Sequence, residues 1–381
     1  PSVDDEFAAG SPTPVSTTMA FAKLLRNLMR DPALGRLVVP IVPDEARTFG
    51  MDPLFKQSGI YAPFGQRYEP VDSELLLSYR ESRDGQVLEE GITEAGSMAS
   101  FQAAATAYAT HGVPTIPFYV FYSMFGFQRV GDQIWQSGDA RGRGFLIGAT
   151  AGRTTLAGEG LQHDDGHSQL FAHAMPHVSA YDPAFAYEMA ALVRRGIERM
   201  HEKHEDVVYY LTIYNENQVQ PPRPMGGSVD EGIHRGLYKF ADADAAIDGP
   251  RVRLFGSGAI MGEVLSARDL LRERGGARDR ELVHGPHLLH ELGGRDPDEP
   301  ARGERLVSQH PTRQTKTRAA RQQQVLRIAL EQRRGDFRRL AIRRTRHDLA
   351  HEFFHVPSAL HEFNGEPIEQ CGILWLLAHD A

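Results

Sequence analysis

The sequence predicts an α/β fold, a mostly parallel sheet with helices on both faces, from three observations. Short apolar runs rich in Val, Ile and aromatic residues recur along the chain: LVVPIV (37–42), TIPFYVFY (115–122), GFLIGAT (144–150) and VVYYLTIYN (207–215). Segments with helical spacing or helix-forming composition separate them, and strands alternating with helices build parallel sheets covered on both sides. Polar clusters follow the strand-like runs, as in open sheets that bind ligands at their carboxyl ends.

Taken in order, Thr17 or Thr18 is placed to cap a first helix whose apolar face is Phe21, Leu24, Leu25 and Leu28, spaced i, i+3, i+4, i+7. LVVPIV is a buried strand, its Val and Ile suited to a pleated surface. QVLEEG (86–91) is a weaker strand, and residues 95–110, rich in Ala, Met and Gln, form a helix ended by Gly112. After the 115–122 strand comes a helix over 125–136, then the 144–150 strand, a long helix over 184–203 and the 207–215 strand. Beyond about residue 268 the texture changes: residues 301–350 hold 13 arginines and one lysine without a sustained period, the pattern of a solvated or disordered segment.

Composition sets the outer limits. The 381 residues allow two domains, and 41% apolar with 24% charged residues is ordinary for a soluble globular protein. A net charge of −8 speaks against nucleic acid as a partner. No apolar run reaches the roughly 18–20 residues of a membrane span. With Cys371 as its only cysteine the chain has no disulfide framework, so a reducing cytoplasm is expected. It begins at Pro1 without Met, which suggests a fragment or a trimmed product.

Four clusters carry the candidate chemistry: DEARTFGM (44–51), EEGITEAG (89–96), YVFYSMFGFQR (119–129) and GRTTLAGEGLQHDDGHS (152–168). Each has a plain structural reading. An acidic residue in a helix's first turn, such as Glu94, is favoured by the dipole alone. Aromatic runs are commonly core, Asp44–Glu45–Arg47 resembles a surface ion-pair turn, and His163 with His167 lacks the further ligands of a closed metal site. There is no Walker-type phosphate loop and no G-x-S-x-G elbow.

Together, in order and spacing, these segments resemble one family. STTMAF, PDEARTFGM, GQVLEEGITEAG, IPFYVFYSMFGFQRVGD, RGFLIGATAGRTTLAGEGLQHDDGHS, YDPAFAYE and YNENQVQPP are similar to the homodimeric pyruvate dehydrogenase decarboxylating component, over roughly residues 16–265. The resemblance implies a transketolase-like pyrimidine-binding (middle) domain over 16–225, after a linker at 1–15, and the start of a C-terminal domain over 226–267. It implies thiamine diphosphate held between two subunits, pyruvate as the 2-oxo acid, and acetyl transfer to a lipoyl group on a dihydrolipoamide acetyltransferase. By the same resemblance Glu94 faces the aminopyrimidine ring nitrogen, Tyr122 and Phe125 pack on that ring, and Asp44 and Ile92 line its pocket. Glu45 matches a second active-centre acid and His163 an active-centre histidine that donates to substrate. Residues 65–80 correspond to a mobile active-centre loop. The family's Gly-Asp-Gly motif, which binds diphosphate and magnesium with an Asn some thirty residues on, is absent. This chain alone is therefore expected to be inactive.

The resemblance stops after ARDLLRERG. His287–His290, HLLH, is encodable so that a reading one base later gives Thr-Ser-Phe-Thr, a family segment, so residues 268–381 are expected to include an out-of-frame stretch. HEFFH in that tail satisfies H-E-x-x-H, with His351 and His355 as zinc ligands, Glu352 as base, and His347, Glu366 or Glu369 nearby. A zinc hydrolase and a non-catalytic binding scaffold are the rival readings.

Overall fold

The computed structural model describes residues 5–43, 46–70, 79–152, 160–242, 251–273, 278–284 and 376–378. Its centre is a six-stranded sheet of β1 (Val38–Val42), β2 (Leu88–Glu89), β3 (Ile116–Tyr122), β4 (Gly144–Ala149), β5 (Val178–Tyr181) and β6 (Val208–Thr212). The spatial order is β2-β1-β3-β4-β6-β5, and every pairing is parallel. All six carboxyl ends therefore lie on one edge, where the polar clusters begin. The sequence-predicted α/β class holds.

Helix α1 (Thr17–Arg30) is capped one residue earlier than expected: Ser16 accepts the Met19 N–H at 3.1 Å. Thr17 instead accepts the Tyr214 N–H at 3.0 Å, tying the helix start to the chain beyond β6. Phe21, Leu24, Leu25 and Leu28 are all buried, as the spacing predicts. Helix α2 (Glu94–Ala105) ends at Thr106, short of Gly112, and Ala107–Thr110 forms a separate turn. The Thr106 hydroxyl donates to Gln102 O at 2.8 Å, a local bond that competes with the helical ladder. The expected helix over 125–136 divides into a 3-10 turn (Ser123–Phe125) and α3 (Gly126–Asp139). That over 184–203 divides into α4 (Ala186–Ile197) and a π turn (Glu198–Glu202).

Strand β2 is two residues long because the chain before it uses a side chain in place of the ladder. The Gln86 amide donates to Val38 O at 2.6 Å on the β1 side. Edge strand β5 escaped sequence reading, since VSAY carries little apolar pattern; its pairing with β6 makes it a strand. The core is aromatic, with Phe118 and Phe145 stacked across β3 and β4 at 4.5 Å. Within the stretch expected as a linker, Ser11–Val15 pairs antiparallel with Gln218–Gln220.

The chain divides into two compact units. The first holds residues 1–238, 257–262 and 285–297, and the second 239–256, 263–284 and 298–381. In the second, strand Arg251–Gly256 pairs parallel with Arg278–His284 and antiparallel with Leu376–Ala378. Paired structure thus continues beyond residue 267, where the family resemblance was read to end. The H-e-x-x-H motif, Glu366, Glu369 and HLLH lie outside the described residues.

Candidate functional site

At the carboxyl edge, β3 ends on Tyr122, and the following 3-10 turn delivers Phe125, whose ring centroid lies 6.1 Å from that of Tyr122. Helix α3 then places Arg129 four residues on, on the same face. Its guanidinium lies 4.0 Å over the Phe125 ring. Two strands away, Gly91 at φ +78° turns the chain out of β2, and Thr93 caps α2 by accepting the Gly96 N–H at 3.1 Å. Glu94 is the first residue of that helix, where the dipole favours its negative charge.

Glu94 and the aromatic pair meet through Arg129. Arg129 Nη1 lies 2.6 Å from Glu94 Oε1, with the glutamate side chain 15% exposed and the arginine 46%. Gln133 on α3 donates to Ala95 O at 3.1 Å, which fixes α3 against the start of α2. The Tyr119 hydroxyl donates to Glu94 O at 3.3 Å from below. Burial first, and then the Glu94 charge, push the Tyr119 phenol up, so it remains a neutral donor.

His163 arrives from the loop after β4, on the short turn Leu161–His163. Its ring packs 4.9 Å from Tyr122 and 5.4 Å from Phe125, centroid to centroid. Asp164 beside it has its carboxyl pushed up by burial, an effect the imidazole opposes. The acid of the HDDGH stretch with a clear structural task is Asp165. It accepts the N–H groups of His167 at 3.1 Å and Ser168 at 2.9 Å, and also the Ser168 hydroxyl, starting the helix Ser168–His173. Among the described residues no group of three or more His, Cys, Asp or Glu side chains is placed to hold a metal ion.

The structure thus gathers Glu94, Tyr122, Phe125 and His163 into one constellation at the strand ends. Ile92, on the loop before Glu94, is 79% exposed in this chain. Asp44 and Glu45 lie outside the described residues. Two members carried no assigned role in the sequence reading. Arg129 was visible there as the one cation of an aromatic stretch, and its i+4 relation to Phe125 was the available signal. Phe49, buried and edge-on to Tyr122 at 5.2 Å, gave no local signal, because the contact joins residues distant in sequence.

The family model for the pyruvate dehydrogenase E1 component middle domain matches residues 3–221. The chain belongs to the pyruvate dehydrogenase E1 component family. It is 54% identical over 266 residues to the pyruvate dehydrogenase E1 component of Cupriavidus necator, covering 70% of this chain and 30% of that protein. With the Pseudomonas aeruginosa E1 component it shares 55% over 258 residues, 68% of this chain and 29% of the relative. The Escherichia coli K12 E1 component is 50% identical over 258 residues, again with 29% of the relative covered. The chain therefore spans about three tenths of the length of these E1 components. Among solved structures, a transketolase from Leishmania mexicana superposes with a TM-score of 0.54 at 16% identity, covering 74% of this chain and 36% of that one. That likeness shows a transketolase-like fold.

Proposed function

We propose that this E1-family chain contributes the pyrimidine-binding half of a thiamine diphosphate site. The proposed activity is oxidative decarboxylation of pyruvate, with acetyl transfer to a lipoyl group on a dihydrolipoamide acetyltransferase. One observation carries the reading: a carboxylate at a helix start, Glu94, is tethered through Arg129 to the Phe125 ring beside Tyr122 and His163. A flat aminopyrimidine needs apolar surface on its faces and an acceptor at its edge. Tyr122 and Phe125 offer the first and Glu94 the second, so the residues present fit the group. When bound, thiamine diphosphate supplies a carbon nucleophile that adds to 2-oxo acids.

The protein's part is positioning and proton handling. Glu94 accepts a hydrogen bond from the ring edge, and Arg129 holds its side chain aligned. Phe49, buried, packs edge-on against Tyr122 and supports that ring. A ring N–H of His163 donates to the oxygen that gains charge on the 2-oxo acid. The Gly-Asp-Gly motif that would hold diphosphate and magnesium does not occur in these 381 residues. The complete site then needs a family N-terminal domain, and the E1 family's cofactor position between two chains calls for a homodimer. We place the assembled enzyme in the cytoplasm.

The test is titration of thiamine diphosphate into this chain combined with a family N-terminal domain, followed by a pyruvate decarboxylation assay. His163→Ala in that assembly should lower turnover on the order of 10²–10³-fold, with cofactor affinity nearly unchanged. Binding of no thiamine diphosphate by the parent assembly sinks the reading.

A further inference from the structure

Strands β3 and β4 leave the sheet side by side, with Tyr122 paired to Ala149 at the last rung. The next residue on each carries a hydroxyl, Ser123 on one and Thr150 on the other. Ser123 is 1% exposed and Thr150 2%, and neither side-chain oxygen has a hydrogen-bond partner among the described residues. Buried hydroxyls are almost always partnered, so two orphans on adjacent strand ends call for an explanation.

The backbone around Thr150 adds an independent observation. Gly148 is in register with Thr212, and its carbonyl accepts the Ile213 N–H at 2.8 Å. In an uninterrupted parallel ladder the Ile213 carbonyl would next take the Thr150 N–H; it takes that of Ala151 instead, at 3.0 Å. One extra residue is thus inserted at the strand end, a bulge, and bulges beside active sites re-aim a side chain. Thr150 holds φ +54°, a left-handed backbone that a β-branched residue rarely adopts. Glycine would adopt it without strain, so the threonine is kept at a conformational cost.

We propose that Ser123 and Thr150 together hold one enclosed water molecule that locks the ends of β3 and β4 to each other. A neutral hydroxyl pair without solvent-exposed oxygen suits a small ligand that both donates and accepts, rather than an ion. The water would act as a positioning element. Ser123 opens the turn that carries Phe125 beyond Tyr122, and Thr150 opens the loop that leads to His163. The inference rests on the strand ends and is independent of any cofactor.

Thermal unfolding of the 381-residue chain tests it through the sign of an isosteric change. Removing a truly orphaned hydroxyl leaves stability unchanged or raises it, whereas removing a partner of a bound water lowers it. Ser123→Ala and Thr150→Val, which keeps the β-branched shape and the same backbone strain, should each lower Tm by about 2–4 °C. The double variant should lose no more than the larger single loss, because the water leaves with its first partner. A Thr150→Val Tm at or above the parent's, or strictly additive losses, overturns the proposal. If either variant fails to fold, a high-resolution crystal structure of the parent chain decides. Water density within hydrogen-bond distance of both oxygens supports the proposal, and its absence there overturns it.

Discussion

Two glutamates open two helices in this unit, and their surroundings differ in every respect that matters. Glu188, in the first turn of α4, is fully buried. Its Oε2 accepts the N–H groups of Ala184 at 2.8 Å and Phe185 at 3.0 Å, and its Oε1 accepts the Tyr238 hydroxyl at 2.6 Å. Tyr187 bonds Tyr238 in turn. Each carboxylate oxygen is thus served by donors fixed in the backbone or in the core. Glu94, the first residue of its helix where Glu188 is the third, sits at the strand-end rim, its side chain held by an arginine that is itself half exposed. A carboxylate satisfied by immovable donors builds the fold. One held by a side chain that can swing remains available to a ligand.

The largest effect that would sharpen this contrast is on catalysis. Glu94→Gln in the assembled enzyme should reduce turnover on the order of 10²–10⁴-fold, measured together with hydrogen–deuterium exchange at the cofactor's reactive carbon. The folding stability of the chain should change by less than ~1 kcal/mol, because glutamine keeps a side-chain oxygen for Arg129 and the arginine is half exposed. Normal turnover would remove Glu94 from the chemistry, and a large stability loss would make it a second Glu188.

The reverse experiment is Glu188→Ala, which strands two backbone donors and a tyrosine hydroxyl in the core. It should cost about 3 kcal/mol, read from urea unfolding of this chain, and Glu188→Gln should lose less because it keeps a carbonyl acceptor. A loss below about 1 kcal/mol would mean that water or relaxation replaces the carboxylate, and the distinction between the two glutamates would fail.

This contrast also shows what was legible in the sequence. Both glutamates open helices preceded by turn-like stretches, and nothing local separates ITEAG from FAYEM. The α/β class, the apolar face of α1 and the strands β1, β3, β4 and β6 follow from periodicity and β-branched enrichment, which are local properties. Tyr122, Phe125 and His163 stand out in the motifs that carry the family resemblance, but that His163 packs on both rings is a contact between residues distant in sequence. Phe49 behind Tyr122, Tyr238 on Glu188 and edge strand β5 are long-range pairings, decided by tertiary packing. The division of the expected 95–110 helix at Thr106 follows from a side chain that bonds its own helix, a competition that average propensity conceals.

The smallest effect concerns pH, and it separates three buried histidines of this unit from the rim. Burial pushes the imidazoles of His177, His201 and His234 below the ordinary histidine range. Arg143 and His204 add to this at His201, and Arg195 and Arg194 at His234, while Asp139 opposes it at His177 and Asp230 at His234. The unfolded chain therefore takes up protons at these positions at higher pH than the folded one. Their stabilising contribution is present above the unfolded value, about 6.5, and is lost as pH falls through the lower folded values. Glu6, Asp31 and Glu198, whose carboxyls are lowered chiefly by hydrogen bonds, act in a separate window below about 4.5. Thermal stability should thus decline between about pH 7 and pH 5 before the carboxylates contribute, and replacing His177, His201 and His234 together by Gln should flatten that decline. The rim substitution Glu94→Gln should leave its slope unchanged. A slope that survives the three histidine replacements, or one that follows Glu94, would overturn its assignment to these buried imidazoles.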